Sequence, residues 1–319
     1  MLVAIVGATG TGKSEFALDL AEASARAGVP AEVVNADAMQ LYRGMDIGTA
    51  KLTVAERRGI PHHLLDVLDV TEDSTVASYQ PLARAAITAI LARGHRALLV
   101  GGSGLYVSSV VHDFRFPGTD AVLRAELEAR LAQDGAAPLW RELERADADA
   151  ARRIDPANGR RVVRALEILR ITGEPYAASL PEVPRPWRPD HAIVHLRRER
   201  TELVPLLDER VRRMWSAGML AEVEELRRRR IEQGTTARQA IGYAQALRQL
   251  TGEIDEEGAI EETTALTRRY ARRQISWFAR YPDQLVVDAA DEQQRRRGIA
   301  TLIRPAANDL GDAPVVSVH

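Results

Sequence analysis

Apolar runs alternate with helix-like spacing in the first third of the chain. Residues Leu2 to Val6 form a continuous apolar run, and Lys13 to Arg26 follows with apolar side chains at helical spacing. Two further apolar runs, Ala31 to Ala36 and Ala97 to Val100, flank a helical pattern at Thr75 to Ala92. Strands that alternate with helices are typical of a parallel sheet, so the pattern predicts an α/β core.

The pattern changes between about Phe114 and Pro189, where only helical spacing is found. The turn-forming residues Pro117 and Gly118 lie near its start, and a proline-rich run from Pro181 to Pro189 ends it. We therefore predict an inserted all-helical domain at residues 114–189, between a first part of the core at 1–113 and a second, mostly helical part at 190–303. Residues 304–319 are predicted to form a loose tail.

The second part of the core begins with one more apolar run, Ala192 to Leu196, which we interpret as a returning strand. Helical patterns follow it. They cover Glu202–Ala217, Leu220–Arg230, Ala237–Leu250 and Glu261–Arg280.

A glycine-rich turn joins the first apolar run to the first helical pattern. It reads GATGTGKS and matches the P-loop motif GxxxxGK[ST] between a strand and a helix, as that motif requires. Backbone N–H groups and the helix N-terminus of such a loop hold phosphates, the lysine reaches them, and the final hydroxyl is a ligand for Mg²⁺. We predict a di- or triphosphate here, with Ser14 as the Mg²⁺ ligand. The binding residues are Gly7, Ala8, Thr9, Gly10, Thr11, Gly12, Lys13 and Ser14.

The acidic residues near the loop bear on what happens to the phosphates. The strand at Ala97 to Val100 runs into Gly101 and Gly102 without a carboxylate, which argues against an ordinary motor or switch ATPase. The nearest carboxylate is Asp37, which ends the neighbouring strand, where ligands of open α/β sheets bind. It can orient a metal-bound water or accept a proton, and an Asx turn is its structural alternative.

Composition limits the classes of function. The 319 residues are 45% hydrophobic and 28% charged, with a net charge of −2, so any nucleic-acid footprint must come from local arginine clusters. The absence of cysteine excludes disulfides, thiolate metal sites and cysteine nucleophiles. No run of residues approaches the length of a membrane span or a secretory signal, and we expect a cytoplasmic protein.

Several blocks of sequence closely resemble the tRNA dimethylallyltransferases. They lie at residues 37–51 (DAMQLYRGMDIGTAK), 61–66 (PHHLLD), 101–106 (GGSGLY), 160–167 (RRVVRALE), 240–243 (AIGY) and 268–278 (RRYARRQISWF). The resemblance spans roughly residues 2–280. It implies a P-loop NTPase-like core whose inserted helical domain grips the anticodon arm of tRNA, in a protein that acts as a monomer. The implied reaction moves a dimethylallyl group from dimethylallyl diphosphate to the exocyclic amine of the adenosine 3′ of the anticodon, with Mg²⁺, and releases diphosphate.

The resemblance also implies roles for single residues. Asp37 corresponds to the family's proposed general base, Ser103 stands where threonine is common beside the target base, and Lys13 stabilises the leaving diphosphate. The residues that match tRNA-facing blocks are Asp37, Ala38, Met39, Gln40, Ser103, Arg124, Arg160, Arg161, Val162, Val163 and Arg164. For the arginines, a solvated basic face paired with Glu167 is the alternative.

Other interpretations stay open at this stage. A P-loop kinase that uses ATP is the alternative function, and a nucleic-acid-binding module with a vestigial P-loop is another. A prenyltransferase for free adenine nucleotides is disfavoured by the large insertion. Gln239 and Ala244 stand where many family members carry arginine or lysine, so Arg238 is the candidate replacement for that contact. For the adjacent His62 and His63 we favour structural roles over metal binding, because neighbouring side chains in an extended segment point to opposite faces.

Overall fold

The computed structural model describes residues 1–176, 185–281 and 283–303. Within them, six strands form one sheet in the order β3-β2-β4-β1-β5-β6, and every neighbouring pair is parallel. The α/β class with a parallel sheet, predicted from the sequence, is confirmed. The strands are β1 (Leu2–Gly7), β2 (Ala31–Asn35), β3 (His62–His63), β4 (Arg96–Gly101), β5 (His191–Arg197) and β6 (Leu285–Asp288).

The helices of the described residues are α1 (Lys13–Arg26), α2 (Val76–Ala92), α3 (Gly104–Val111), α4 (Ala121–Asp134), α5 (Ala136–Ala146), α6 (Ala148–Arg153), α7 (Gly159–Thr172), α8 (Arg200–Ser216), α9 (Met219–Arg228), α10 (Tyr243–Leu250), α11 (Glu256–Phe278) and α12 (Glu292–Ile303).

The central strand β1 is buried along its whole length and separates two hydrophobic cores. Leu2, Ala4 and Val6 pack with residues of α2 and α3 on one face, whereas Val3 and Ile5 pack with residues of α1 and α12 on the other. Because β1 lies between β4 and β5, the strand order reverses beside it, and the carboxyl ends of β1, β2 and β4 meet at one edge of the sheet. Ligands of open α/β sheets bind at such a switch point.

The helices α4 to α7 lie between α3 and β5 along the chain and share a hydrophobic core of their own. The two segments that connect them to the sheet pair with each other through an antiparallel bridge between His112 and Pro186. The Trp187 N–H donates to the Val111 carbonyl at 2.8 Å and supports this connection. Pro181 and Pro184 of the proline-rich run lie outside the described residues, and so does the predicted tail at 304–319.

Two predictions for the second part of the core were wrong or incomplete. The helical pattern at Ala237–Leu250 is not one helix, because Ala237–Gln239 is a 3₁₀ turn and α10 begins only at Tyr243. Gly242 between them has a φ of 91°, which a helix interior does not allow. The strand β6, four residues long, and the helix α12 were not predicted.

A third core joins the helices α8 to α11 to the segment that follows β2. Tyr42 and Met45 of that segment pack with Met219 and Tyr243. Gly48 lies so close to the Tyr243 ring that a β-carbon there would overlap it. The C-terminal helices therefore hold the residues after β2 against the edge of the sheet.

None of the described helices is long and apolar enough to cross a membrane.

Candidate active site

The carboxyl edge of the sheet brings three predicted site segments together. The P-loop follows β1, Asp37 follows β2, and Ser103 follows β4. The second and third segments touch, because the Ala36 N–H donates to the Val100 carbonyl at 2.8 Å and a β-carbon at Gly101 would overlap the Ala36 carbonyl. Glycine is therefore required at position 101, where the sequence has it.

The P-loop has the backbone that its motif predicts. Gly10 and Gly12 have φ values of 81° and 78°, in the left-handed region, and α1 begins directly after Gly12. The buried Thr11 hydroxyl donates to the Ala8 carbonyl at 2.9 Å, so this side chain stabilises the loop. Ser14 is exposed in the first turn of α1 and lines the same cleft as Asp37.

Lys13 lies half-buried on the floor of this cleft and its Nζ donates to the Ala8 carbonyl at 2.7 Å. Burial lowers the pKa of the Lys13 ammonium to about 8, the charge of Asp37 acts in the opposite direction, and Arg210 lowers it further. The three charged groups are thus close enough to act on one another electrostatically.

Asp37 is held by the last residue of β2. Asn35 accepts the Asp37 N–H at 2.9 Å and donates from Nδ2 to the carbonyls of Asp37 and Leu64 at 3.0 and 2.9 Å. The Asp37 Oδ1 accepts the Met39 N–H at 2.9 Å, so the Asx turn considered as an alternative is present. It uses only one carboxylate oxygen, and Oδ2 remains available for chemistry.

Ser103 lies directly beside this turn, at the residue before α3. Its Oγ accepts the Ala38 N–H at 3.3 Å and lies 3.5 Å from the Tyr270 hydroxyl of α11. Burial raises the pKa of Tyr270, and the nearby charge of Asp37 adds to the effect, so this hydroxyl stays protonated. This contact with Tyr270 was not predicted from the sequence.

Two cations on α8 complete the cleft. Arg210 and Arg213 line it together with Lys13 and Asp37. Burial lowers the pKa of the Arg210 guanidinium, and the charge of Asp37 opposes that effect. Neither arginine was predicted from the sequence, because both belong to no motif and face the cleft only through the packing of α8.

Gln274 of α11 links the P-loop to the turn after β4. Its buried side chain accepts the Thr9 N–H at 2.8 Å and donates to the Gly102 carbonyl at 2.8 Å. The residue lies inside the block at 268–278 that carries the resemblance, so its position in that block was the available signal.

The resulting cleft has a volume of about 940 Å³. Its lining combines the P-loop and the nearby cations with apolar side chains, which include Ile47, Leu52, Leu65, Leu206 and Met214. Such a cleft suits a ligand with an anionic end and a hydrocarbon end.

The other predicted tRNA-binding residues lie in the inserted helices, away from this edge of the sheet. Arg160 and Arg161 are exposed at the start of α7. Arg164 and Arg124 instead pair with Glu167, whose side chain is fully buried, with Arg164 Nη1 at 2.7 Å. Val162 and Val163 lie in the core of the inserted helices, so neither side chain is available to a partner.

The histidines take the structural roles that we favoured. His63 Nε2 lies 2.7 Å from a buried Glu32 carboxylate that also binds Arg93 and His95, and His62 Nδ1 lies 2.8 Å from the Ile60 carbonyl. Burial acts to raise the pKa of Glu32, but its hydrogen bonds with Arg93, His63 and His95 outweigh burial and lower it to about 2. In the described ranges no group of three histidine, aspartate or glutamate side chains is arranged to hold a metal ion.

The two positions without the expected cation lie at the junction before α10. Gln239 is exposed and Ala244 half-buried. Arg238 is exposed, and its Nη1 donates to the Glu232 carbonyl at 3.1 Å. Both residues precede the junction.

Comparisons with known proteins agree over nearly the whole chain. The sequence profile of the family described as IPP transferase matches residues 40–281. A tRNA dimethylallyltransferase from Clavibacter sepedonicus is 56% identical over 306 residues, which cover 96% of this chain and 98% of the relative. The crystal structure of the tRNA isopentenylpyrophosphate transferase from Bacillus halodurans is similar with a TM-score of 0.67 and 38% identity, covering 95% of this chain and 94% of that one. A eukaryotic dimethylallyltransferase acting on tRNA gives a TM-score of 0.80 at 28% identity, covering 97% and 81%.

Proposed function

Because the chain belongs to the IPP transferase family and is a tRNA prenyltransferase, we propose that it transfers a dimethylallyl group from dimethylallyl diphosphate to the exocyclic amine of the adenosine 3′ of the anticodon. The P-loop kinase that the sequence left open is not favoured, since the relatives transfer prenyl groups. The observation that carries the proposal is the shared cleft. Lys13, Arg210 and Asp37 all line it, which supports the proposal of cations for a leaving diphosphate beside a carboxylate for a nucleophile's proton.

The diphosphate of the donor binds in the P-loop. The backbone N–H groups of Gly10 and of residues 12–14, at the N-terminus of α1, face it, while Lys13 and Arg210 neutralise its charge. Oxygen ligands suit Mg²⁺, and the exposed Ser14 hydroxyl would hold this ion beside the phosphate oxygens. Bound there, Mg²⁺ would supply positive charge to the departing diphosphate.

The prenyl group lies against the apolar side chains of the cleft. These side chains exclude water from the carbon atom that the amine attacks. An allylic diphosphate ionises readily, so the protein mainly stabilises the leaving group and holds the nucleophile in line. In the reaction the amine nitrogen bonds to C1 of the dimethylallyl group, the C1–O bond breaks, and diphosphate leaves.

The adenine amine approaches from the side of Ser103. As it attacks, its proton passes to Asp37, whose Oδ2 is not used by the Asx turn. The Ser103 hydroxyl accepts the Ala38 N–H and keeps its own proton for a hydrogen bond to the base. A hydroxyl suffices for this contact, so serine can serve where many relatives have threonine.

The adenosine reaches this site only when it is unstacked from the anticodon loop. Such extruded bases are held by stacking and hydrogen bonds while the stem is gripped through phosphate and shape contacts. We assign the stem contacts to the inserted helices, with Arg160 and Arg161 as the freest cations of that group, and Asp37 to Gln40 to the loop. We further propose that the protein acts in the cytoplasm as a monomer, where its tRNA substrate is available.

The test uses purified protein, Mg²⁺, radiolabelled dimethylallyl diphosphate and unmodified tRNA that carries the proper anticodon-loop adenosine. We expect label in the tRNA and release of diphosphate. The matched control is the same tRNA with guanosine in place of that adenosine, which should stay unlabelled. AMP and ATP separate the alternatives. Added AMP should not reduce the label in the tRNA, and ATP should not transfer its γ-phosphate. If the tRNA with this adenosine stays unlabelled, the proposal is contradicted.

A further inference from the structure

One buried ion group organises the segment 42–66, which runs from Tyr42 through β3 to Asp66. The Lys51 ammonium donates to Asp46 Oδ1 and Asp66 Oδ1, each at 2.6 Å, and to the Tyr42 carbonyl at 2.8 Å. The lysine side chain is 3% exposed, while those of Asp46 and Asp66 are 55% and 41% exposed. Because a buried charge is costly unless it is paired, these bonds fix the path of the segment.

Lys51 lines the cleft, and by residue type it resembles another phosphate ligand. An ammonium group has three N–H donors, however, and the three bonds to Asp46, Asp66 and Tyr42 use all of them. Its charge is also balanced by two carboxylates. Lys51 therefore acts on the site through other groups.

Those groups meet at the Thr49 carbonyl, two residues before Lys51. This oxygen accepts from Gln40 Nε2 at 3.1 Å and from Arg210 Nη2 at 3.4 Å. Gln40 belongs to the turn assigned to tRNA, whereas Arg210 belongs to the cations assigned to the diphosphate. The Lys51 N–H bonds to the Asp46 carbonyl at 3.0 Å and closes the short turn that presents Thr49.

We infer that Lys51 is a positioning residue for both substrates. It fixes the Thr49 carbonyl, which orients Arg210 toward the donor and Gln40 toward the tRNA. The assignment of the two sides rests on the proposed function, but the contacts themselves do not. Two sites that share one rigidly held carbonyl lose their geometry together when its support is removed.

The first test compares Lys51→Met with Arg58→Met. Arg58 anchors the same segment to α1, with Nη1 at 2.9 Å from Asp19 and 3.4 Å from Glu22, and does not contact Thr49. Binding of inorganic diphosphate is measured by calorimetry, and binding of an anticodon stem-loop RNA by fluorescence anisotropy. We expect Lys51→Met to weaken both about tenfold, the order for a charged group that loses an aligned hydrogen bond, and Arg58→Met to leave both unchanged. Equal effects of the two variants would overturn the inference.

A double-mutant cycle separates positioning from general destabilisation. In an Arg210→Met background, Lys51→Met should cause no further loss of diphosphate affinity but should still weaken RNA binding, because Gln40 remains. Purely additive losses of diphosphate affinity would show that Lys51 does not act through Arg210.

A milder variant covers the case in which Lys51→Met does not fold. Asp66→Asn keeps an oxygen for the ammonium and removes one charge, so we expect both affinities to fall by a smaller factor, about threefold. Unchanged affinities for both probes would overturn the inference. These measurements need no turnover, so an inactive wild-type protein would contradict the proposed reaction and leave this test intact.

Discussion

At the scale of the residue, Asp37 divides two tasks between its carboxylate oxygens. Oδ1 accepts the Met39 N–H at 2.9 Å and shapes the turn, and Oδ2 is assigned to the proton of the adenine amine. The structural and chemical interpretations of this residue are therefore compatible. A variant that changes only one of the tasks can separate them.

Asp37→Asn is that variant, because its amide oxygen can still accept the Met39 N–H. We expect turnover at saturating tRNA to fall about 10²- to 10⁴-fold, the contribution of general-base catalysis, with little change in RNA affinity. Single-turnover transfer of labelled prenyl measures the first quantity, and anisotropy measures the second. The control is Asp69→Asn, which changes an exposed aspartate that pairs with Arg43 at 2.9 Å. A wild-type rate in Asp37→Asn would remove Asp37 from the mechanism.

The lowered pKa of Lys13 predicts that diphosphate binding depends on pH. Its pKa is lowered to about 8, chiefly by burial, so the ammonium is present below that pH and lost as the pH rises through it. We expect the affinity of the free protein for inorganic diphosphate to decline between about pH 7 and pH 9 more steeply than in Lys13→Arg, since arginine stays protonated. Calorimetric titrations of both proteins across that range measure this. Parallel profiles for the two proteins would contradict the assignment.

The sequence predicted the residues of continuous motifs but not those that reach the site through packing. Lys13 and Ser14 follow from a motif whose backbone geometry is local. Arg210 faces the cleft only because α8 packs where it does. The contact between Ser103 and Tyr270 joins residues that lie 167 positions apart, and no spacing rule connects them.

At the scale of the element, the start of α7 carries two different kinds of arginine. Arg160 and Arg161 are exposed, whereas Arg164 binds the buried Glu167 and the carbonyls of Pro117 and Gly118. The first pair is free for phosphate contacts, and Arg164 also holds the chain before α4. Residues four apart share one face of a helix, so helical spacing alone cannot distinguish Arg160 from Arg164.

The double variant Arg160→Ala with Arg161→Ala should weaken tRNA binding through lost phosphate contacts. We expect the slope of log K against log salt to become shallower by about 1.5 for two contacts, with the thermal midpoint unchanged. Anisotropy titrations at several salt concentrations measure the slope. A binding curve that keeps the wild-type salt dependence would move the tRNA footprint elsewhere.

Arg164→Ala should behave differently, as a loss of stability. Glu167 would keep Arg124 but lose the charge-assisted hydrogen bond from Arg164, and a hydrogen bond to a charged group contributes roughly 1.5 to 3 kcal/mol. Urea unfolding measures this free energy, with Arg161→Ala as the neighbouring exposed control. If both variants unfold at the same urea concentration, the Arg164–Glu167 pair contributes nothing to stability.

Helix boundaries show where sequence patterns succeed. The prediction for α1, Lys13–Arg26, agrees with the structure at both ends, because a glycine-rich loop precedes it and the apolar spacing is regular. The pattern at Ala237–Leu250 was equally regular, yet the backbone of Gly242 interrupts it. β6 is too short for its alternation to stand out, and its pairing partner β5 lies far away in sequence.

At the scale of the whole molecule, the phosphate site depends on distant parts of the chain. Gln274 supports Thr9 from α11, and β1 pairs with β5, which comes after the inserted helices. The inserted helices are connected through the paired segments at Val111 and Trp187, so the sheet stays continuous on both sides of the insertion.

Gln274→Leu tests this dependence. It removes the bonds to Thr9 and Gly102 while keeping a side chain of similar size. We therefore expect weaker binding of inorganic diphosphate and only a small change in the thermal midpoint of unfolding. Gln249→Leu is the matched control, because Gln249 accepts a tertiary bond from Trp215 at 2.8 Å elsewhere in the fold. Titration calorimetry measures the diphosphate affinity, and differential scanning calorimetry measures the thermal midpoint. Equal diphosphate affinity in both variants would show that the P-loop keeps its shape without Gln274.

The bond between Thr9 and Gln274 spans 265 positions and therefore sets an order of events during synthesis. The P-loop leaves the ribosome among the first residues, but its support emerges only after the inserted helices and most of the C-terminal helices. A nascent chain thus carries the motif long before its supporting bond can form. We expect the P-loop to reach its final geometry only when nearly all of the chain has been made.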